Sequence, residues 1–157
     1  MTQPNKQVQT DISVSTHNDG ITPIDKFECP MHQRMGFLPQ YLGRAHVQFQ
    51  SHVYVFAHQL IKGYDGGGWE FYHLTNGGFL MEWDNYKTIT IHSPNGSSAE
   101  VDTETASTIL NLMVLSELSF SLLVNADTLD KVVHCFHALR EFALNHPNSA
   151  TILKLID

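Results

Sequence analysis

The sequence predicts a single α+β domain in which a small antiparallel β-meander of about three strands packs with several α-helices. Aromatic-rich segments in the middle of the chain are separated by glycine-containing turn signals, which is typical of β-hairpins. The segments on either side carry apolar residues at helical spacing. A length of 157 residues with 42% hydrophobic residues suffices for one compact core and is short for two domains.

The first part of the chain is polar. Residues 1–26 are rich in Thr, Ser, Asn and Gln and contain few large apolar residues. Burial cannot offset the ordering entropy of such a segment, so we expect a flexible tail and place the folded domain at residues 27–157. Within the domain, FLPQYLG at 37–43 is expected to be extended or turning, because Pro39 disfavours a helical conformation in the residue before it.

The first long helix is predicted over residues 46–62, where four apolar side chains recur at helical spacing: Phe49, Val53, Phe56 and Leu60. Gly63 follows directly and is expected to cap its C-terminus.

A β-hairpin is predicted from segments 69–75 and 79–84, which flank Asn76-Gly77-Gly78. For a two-residue loop, strand alternation places one set of side chains on the core face: Tyr72, Leu74, Phe79, Met81 and Trp83. The opposite face then carries Trp69, Phe71, His73, Thr75, Leu80, Glu82 and Asp84. That second face is rich in aromatic surface, so it is either covered by another helix, which we favour, or exposed as a contact patch. A third strand at 88–93 is expected to extend the meander, and the turn at 93–98 to end the sheet.

The last third of the chain predicts helices. Residues 103–124 carry apolar side chains around most of the helical circumference, which is typical of a buried central helix. The next helix is expected to be capped by Asp127 and to end before Pro147. It has an apolar stripe opposite a polar one formed by Asp130, His134, His137 and Glu141. The sequence NSATILKLID predicts a final short helix.

Charge and composition exclude several classes of protein. Nine Lys and Arg residues against sixteen Asp and Glu residues give a net charge of -7, which disfavours strong binding to DNA or anionic lipid. The two cysteines are too few for a disulfide framework, and no segment has the apolar length of a signal peptide or membrane span. We therefore expect a cytoplasmic protein that does not enter a membrane.

The sequence contains no recognisable catalytic constellation. The glycines at 66–68 follow a helix and precede a strand, the reverse of the order that a phosphate-binding loop requires. His134, His137 and Glu141, and the pair Cys29 and His32, are residue types that zinc accepts, but the HExxH signature is absent. A metal-dependent hydrolase is thus a minor alternative, and we expect a protein that acts by binding, without metal or cofactor.

Mimicry of DNA by surface carboxylates is a second alternative. It requires acids spaced like phosphates along a strand. The sixteen acids of this chain are scattered and interrupted by basic residues. The charge pattern therefore supports mimicry only weakly, although net charge does not determine surface arrangement.

Four motifs resemble those of the ArdB/KlcA-type antirestriction protein family: FLPQYLG, YDGGGWEFYHLTNGGFLM, HALREFALNHP and ATILKLID. They occur in the same order and at similar spacing over residues 35–157, with departures at Gly68 and Leu80. The resemblance implies a small α+β protein of plasmids and mobile elements that inhibits type I restriction-modification enzymes, is not an enzyme, and differs from the DNA-mimicking inhibitors. It supplies no catalytic set, and we expect a monomer or weak homodimer.

Two surfaces are candidates for contact with a restriction enzyme. The first combines Trp69, Phe71 and His73 on the aromatic face of the hairpin with the loop at 64–68, which includes Tyr64 and Asp65. The second is the polar stripe of Asp130, His134, His137 and Glu141, which an ordinary solvated helix face also explains.

Overall fold

The computed structural model describes residues 22–85, 87–121 and 125–157. The elements in chain order are β1 Lys26–Glu28, α1 Arg34–Leu42, α2 His46–Leu60, β2 Trp69–Leu74, β3 Phe79–Trp83, β4 Ile89–His92, β5 Ser98–Val101, α3 Thr103–Ser119, α4 Ala126–Leu144 and α5 Ser149–Ile156. The α+β prediction is confirmed. Most of the predicted tail, residues 1–21, lies outside the described residues, but Lys26 belongs to β1, so ordered structure begins before Phe27.

The strands form two antiparallel sheets, with the orders β1-β2-β3 and β4-β5. The prediction that residues 88–93 extend the meander is therefore wrong. The turn at 93–98 does not end the sheet but joins β4 to β5 as a separate hairpin. The third strand of the main sheet is β1, which pairs with β2.

The outer edge of β3 has no room for a further strand, because α3 lies along it. The buried Asn111 side chain accepts a hydrogen bond from the Met81 backbone N–H (3.0 Å) and donates one to the Met81 carbonyl (2.8 Å). Ser107 Oγ accepts from the Trp83 N–H at 3.0 Å. Two side chains of a helix thus satisfy the backbone groups that a neighbouring strand would otherwise pair, and the sheet edge is covered.

The prediction of an extended FLPQYLG segment is also wrong. Residues 37–42 belong to α1, which contains Pro39 in its interior, and Gly43 is its C-cap with a φ of 54°. Phe37, Leu38 and Leu42 are buried in the core. The burial of these side chains outweighs the backbone hydrogen bond that the proline cannot make.

The faces of the main hairpin differ from the predicted ones because its loop has three residues rather than two. The Leu74 N–H donates to the Gly78 carbonyl at 2.9 Å, and His73 is the cross-strand partner of Phe79. Gly77 occupies the third loop position with a φ of 87°. A shift of one residue moves a strand's side chains to the opposite face, so Trp69, Phe71 and His73 share a face with Trp83, Met81 and Phe79.

This shared face lies under α1 and α2. Phe37 stacks on Phe71 with ring centroids 5.0 Å apart, and Phe49 meets Phe79 edge-on at 5.3 Å. Helix α3 is buried around most of its circumference, as predicted, but it ends at Ser119. Residues 122–124 of the predicted range 103–124 lie outside the described residues. Helix α4 has a buried apolar stripe with the predicted Val132, Leu139 and Ala143, but it also includes Cys135, Ala138 and Phe142, whereas Val133 of the predicted stripe is exposed. Its N-cap is Asn125, and Asp127 lies in the first turn. At the end of α2, the C-cap is Ile61, and Gly63 lies in the turn that follows.

Candidate functional site

The glycine-rich loop after α2 holds two indole rings. Trp69 Nε1 donates to the Tyr64 hydroxyl, and Trp83 Nε1 donates to the Gly66 carbonyl, each at 3.0 Å. Gly66 and Gly67 have φ values of 95° and 110°, and a Cβ on Gly67 would lie 3.3 Å from Trp83 Nε1. The glycines therefore let the loop approach the tryptophans closely. The Gly66 carbonyl accepts a hydrogen bond from an indole N–H, unlike a phosphate-binding loop, whose backbone amides donate to an anion.

The aromatic residues of the first candidate surface belong to the core. Trp69 is 4% exposed and Phe71 is 7% exposed. These two side chains are therefore covered by other elements, the alternative that the sequence analysis favoured over an exposed patch. His73 is half-buried, and its Nδ1 lies 2.5 Å from the Tyr41 hydroxyl. Tyr64 is half-buried and Asp65 is exposed. Any direct contact from this group therefore comes mainly from the loop, while Trp69 and Phe71 support it from below.

The residues of the second candidate surface are exposed together on α4. Asp130, His134, His137 and Glu141 lie opposite the buried stripe of that helix. They share the outer face because they recur three and four residues apart.

The turn of the main hairpin packs beside this polar stripe. Asn76 Nδ2 donates to the Ala138 carbonyl at 2.8 Å and to Glu141 Oε2 at 3.3 Å. A Cβ on Gly77 would lie 3.5 Å from His134 Nε2, and one on Gly78 would lie 2.7 Å from the Ala138 Cβ. The turn therefore rests directly on α4, and only glycine fits at position 78 without a shift. We call Asn76, Gly77, Asp130, His134, His137 and Glu141 together the α4 surface.

A shallow concavity of about 380 Å³ adjoins the α4 surface, lined by Gln40, Tyr41, Gly77, Asp130, Lys131, His134 and Cys135. Burial raises the pKa of the Cys135 thiol to about 12, which disfavours the thiolate at neutral pH. The sequence motifs did not indicate that Gln40 and Tyr41 line this concavity, because they predict an extended segment where the structure has helix α1.

A partly buried charged cluster lies where β1, β3 and α3 meet. Lys26 Nζ binds Glu82 Oε2 at 2.7 Å and Glu104 Oε2 at 2.6 Å, and His146 Nε2 lies 2.7 Å from Glu104 Oε1. Burial raises the pKa of Glu82, which the Lys26 ammonium opposes only in part. Burial also acts to raise the pKa of Glu104, but hydrogen bonds from Lys26 and His146 outweigh it and lower that pKa.

This cluster could not be found from local sequence patterns, because Lys26 and Glu82 are far apart in the chain. It ties β1 to β3 and to α3, while Arg34 binds Glu70 in the same way at 2.6 Å. Glu70, Glu82 and Glu104 are therefore engaged in ion pairs within the protein. They are not available as phosphate mimics, which weakens the DNA-mimic hypothesis further.

Across residues 22–85, 87–121 and 125–157, no three or more His, Cys, Asp and Glu side chains are grouped so that they could hold a metal ion. Cys29 is buried between β1 and α1, whereas His134 and His137 are exposed on α4. The residue types that suggested zinc do not converge. None of the helices in the described part of the chain has the length and apolar character needed to cross a membrane.

A family model described as Antirestriction protein matches residues 62–157. The chain belongs to this antirestriction family. Antirestriction protein KlcA of Escherichia coli is 32% identical over 127 residues, which cover 80% of this chain and 89% of the relative. The uncharacterized protein YafX of Escherichia coli strain K12 is 33% identical over 142 residues, or 87% of each chain. The resemblance to the ArdB/KlcA type is confirmed.

A solved structure supports the same assignment at the level of fold. It matches with a TM-score of 0.78 and 31% identity, covering 87% of this chain and 96% of that chain. It was described as showing that the KlcA and ArdB proteins have a novel fold and antirestriction activity against type I DNA restriction systems in vivo but not in vitro.

The region matched by the antirestriction family model contains the glycine-rich loop, the main hairpin and the complete α4 surface. Strand β1 and helices α1 and α2 precede it, because α2 ends at Leu60. Both candidate contact surfaces therefore lie within the region that the family model matches. Of the residues that line the adjoining concavity, Gln40 and Tyr41 lie before that region.

Proposed function

We propose that this antirestriction protein inhibits type I restriction-modification enzymes in the cytoplasm and so protects incoming plasmid or mobile-element DNA. The observation that carries the proposal is its similarity, over 87% of its length, to a structure described with activity against type I systems in vivo. The inhibitor acts by protein contact and not by catalysis. This part of the proposal is supported by the match to the antirestriction family and by the similarity in fold to the KlcA and ArdB proteins.

The relative's activity was described in vivo but not in vitro. We propose that the present chain likewise needs a component or state of the living cell, such as a restriction complex engaged in its reaction or an additional protein. The contact with the restriction enzyme is then either direct or made through that component.

We assign the contact to the α4 surface. Its side chains on α4 are exposed, and its carboxylates suit a partner surface bearing Arg and Lys. The bond from Asn76 to the Ala138 carbonyl holds the turn in place. Such a surface on a helix needs little ordering on binding, which lowers the entropic cost. The loop carrying Tyr64 and Asp65 is the second candidate.

The function is tested by plating unmodified phage on cells that carry a type I restriction system, with and without expression of this chain. We expect a higher plating efficiency when the chain is expressed. Modified phage, and a host without the restriction system, provide the controls. Equal restriction of unmodified phage in both strains would refute the proposal.

The surface is tested by the double variant Asp130→Lys with Glu141→Lys, which should lower protection by at least about tenfold, equivalent to about 1.4 kcal/mol of contact free energy. The matched control is Asp84→Lys with Glu100→Lys, which changes the net charge equally at exposed positions away from α4. Retained protection in the control is expected. If both doubles lose protection equally, overall negative charge matters, and the DNA-mimic alternative replaces the contact model.

A further inference from the structure

The helices that precede the matched family region carry apolar side chains on their outer surface. Met31 is 81% exposed, Met35 is 96% exposed and Val47 is 61% exposed. Met35 and Val47 line one groove of about 320 Å³ between α1 and α2, which we call the α1–α2 groove, with Arg34, Leu38, Pro39, His46, Gln50 and Phe71. Clustered exposed apolar side chains of this kind mark interaction sites on soluble proteins.

The charge of these helices is opposite to that of the whole protein. From residue 29 to residue 64 the chain contains no Asp or Glu, although it has sixteen in total. The same stretch carries Arg34, Arg44 and Lys62 with four histidines. Arg34 lines the groove and binds the carboxylate of Glu70 on β2 at 2.6 Å. The α1–α2 groove is therefore an apolar site in a neutral to basic part of an acidic protein.

We propose that the α1–α2 groove binds an amphipathic helix of a partner protein whose apolar anchor residues are flanked by carboxylates. The groove lies at the lower end of the size of small-ligand pockets, which start at about 300 Å³. It suits a few anchor side chains at the i, i+3 or i+4, and i+7 positions of a helix. Met35, which lines the groove, can adapt its shape to such anchors, because the side chain is unbranched and polarizable.

Charge complementarity selects the acidic partner. Carboxylates beside the anchors would approach α1 and α2, whose segment 29–64 carries Arg34, Arg44 and Lys62 and no acidic residue of its own. A basic helix would gain no such attraction. The α4 surface lies on another element and in another part of the chain, so the inference goes beyond antirestriction and does not depend on it.

The test uses a fluorescent synthetic peptide of about 18 residues, long enough to form a helix, with Leu at i, i+4 and i+7 and Glu on both flanks. A matched peptide carries Lys in place of Glu. Fluorescence anisotropy with the full chain should show that the acidic peptide binds at least about tenfold more tightly, and that raised salt narrows the difference. Equal binding of the two peptides, or no binding of the acidic one, would overturn the proposal.

Variants locate the binding site. Met35→Asp or Val47→Asp should weaken the binding of the acidic peptide by at least about tenfold. Met35→Leu should retain binding because it keeps an apolar side chain. The control is Val133→Asp, a substitution at an exposed apolar position on α4. This variant should bind the acidic peptide as tightly as the unchanged chain does. Circular dichroism should show native helix content in each variant. If Val133→Asp weakens binding as much as Met35→Asp, the peptide does not occupy the groove.

Two other occupants would also overturn the proposal. Sedimentation equilibrium of the free chain could reveal a dimer that Met35→Asp abolishes, which would assign the groove to a second copy. Flotation with vesicles of anionic phospholipid could reveal binding that Met35→Asp abolishes, which would assign it to a lipid surface. We expect a monomer that does not bind vesicles.

Discussion

The two hairpins of this protein use the same turn in different surroundings. In each, Asn-Gly occupies the last two positions of a three-residue loop, and the glycines Gly77 and Gly96 both have a φ of 87°. The side-chain Oδ1 of Asn76 accepts from the Gly78 N–H at 3.2 Å, and the Oδ1 of Asn95 accepts from the Ser97 N–H at 2.8 Å. The local sequence thus determines the turn, because the same residues take the same conformation twice.

The surroundings determine what each hairpin becomes. All five residues of β3 are buried, and α3 covers the outer edge of the strand through Asn111 and Ser107. The shorter strands β4 and β5 alternate between buried and more exposed positions, and their turn lies against α5, where Asn95 Nδ2 donates to the carbonyls of Lys154 and Asp157. The comparison teaches that contacts distant in sequence place a hairpin in the core.

Replacing Asn111, which covers the edge of β3, should have the largest effect on stability of the substitutions that test this comparison. Asn111→Leu keeps the volume apolar but leaves the Met81 N–H and carbonyl without their partner, and each unsatisfied buried group costs about 1–3 kcal/mol. We expect the free energy of unfolding in urea to fall by about 2–6 kcal/mol. Glu100→Ala on the exposed side of β5 should leave it nearly unchanged. A loss below about 1 kcal/mol for Asn111→Leu would show that the edge of β3 does not depend on this side chain.

Local patterns predicted the helices α2, α3 and α4, the main hairpin and the exposed polar stripe of α4, since each depends on periodicity or a turn signal. They did not predict the loop length, because Asn-Gly serves two-residue and three-residue loops equally well, and the error moved Trp69 and Phe71 to the wrong partners. They also missed the helical state of Pro39 and the pairing of Lys26 with Glu82 and Glu104. These features depend on packing or on contacts far apart in the chain.

Gly78 offers a smaller test of the same comparison. A Cβ at this position would lie 2.7 Å from the Ala138 Cβ, so Gly78→Ala should destabilise the protein by about 1–3 kcal/mol through overpacking. The corresponding position in the other hairpin is Ser97, which already carries a Cβ, and Ser97→Ala should have little effect. Thermal unfolding of both variants measures the contrast.

A double-mutant cycle identifies the cause of the Gly78 effect. Adding Ala138→Gly should relieve the clash, although glycine within α4 costs about 1 kcal/mol by itself. The double variant should therefore be more stable than the two single effects predict. Additive effects would place the strain elsewhere than at the contact between the turn and α4.

The smallest effect should come from the two asparagines, and it separates structure from function. Asn76→Ala removes the donor to the Ala138 carbonyl, and Asn95→Ala removes the donor to the carbonyls of α5, so each should cost about 1 kcal/mol of stability. Only Asn76 belongs to the α4 surface. Asn76→Ala should therefore lower protection of unmodified phage, whereas Asn95→Ala should retain it at the same protein level. If both variants protect equally well, turn position does not matter for inhibition; if both fail equally, protection follows stability, and the assignment of contact to the α4 surface loses its support.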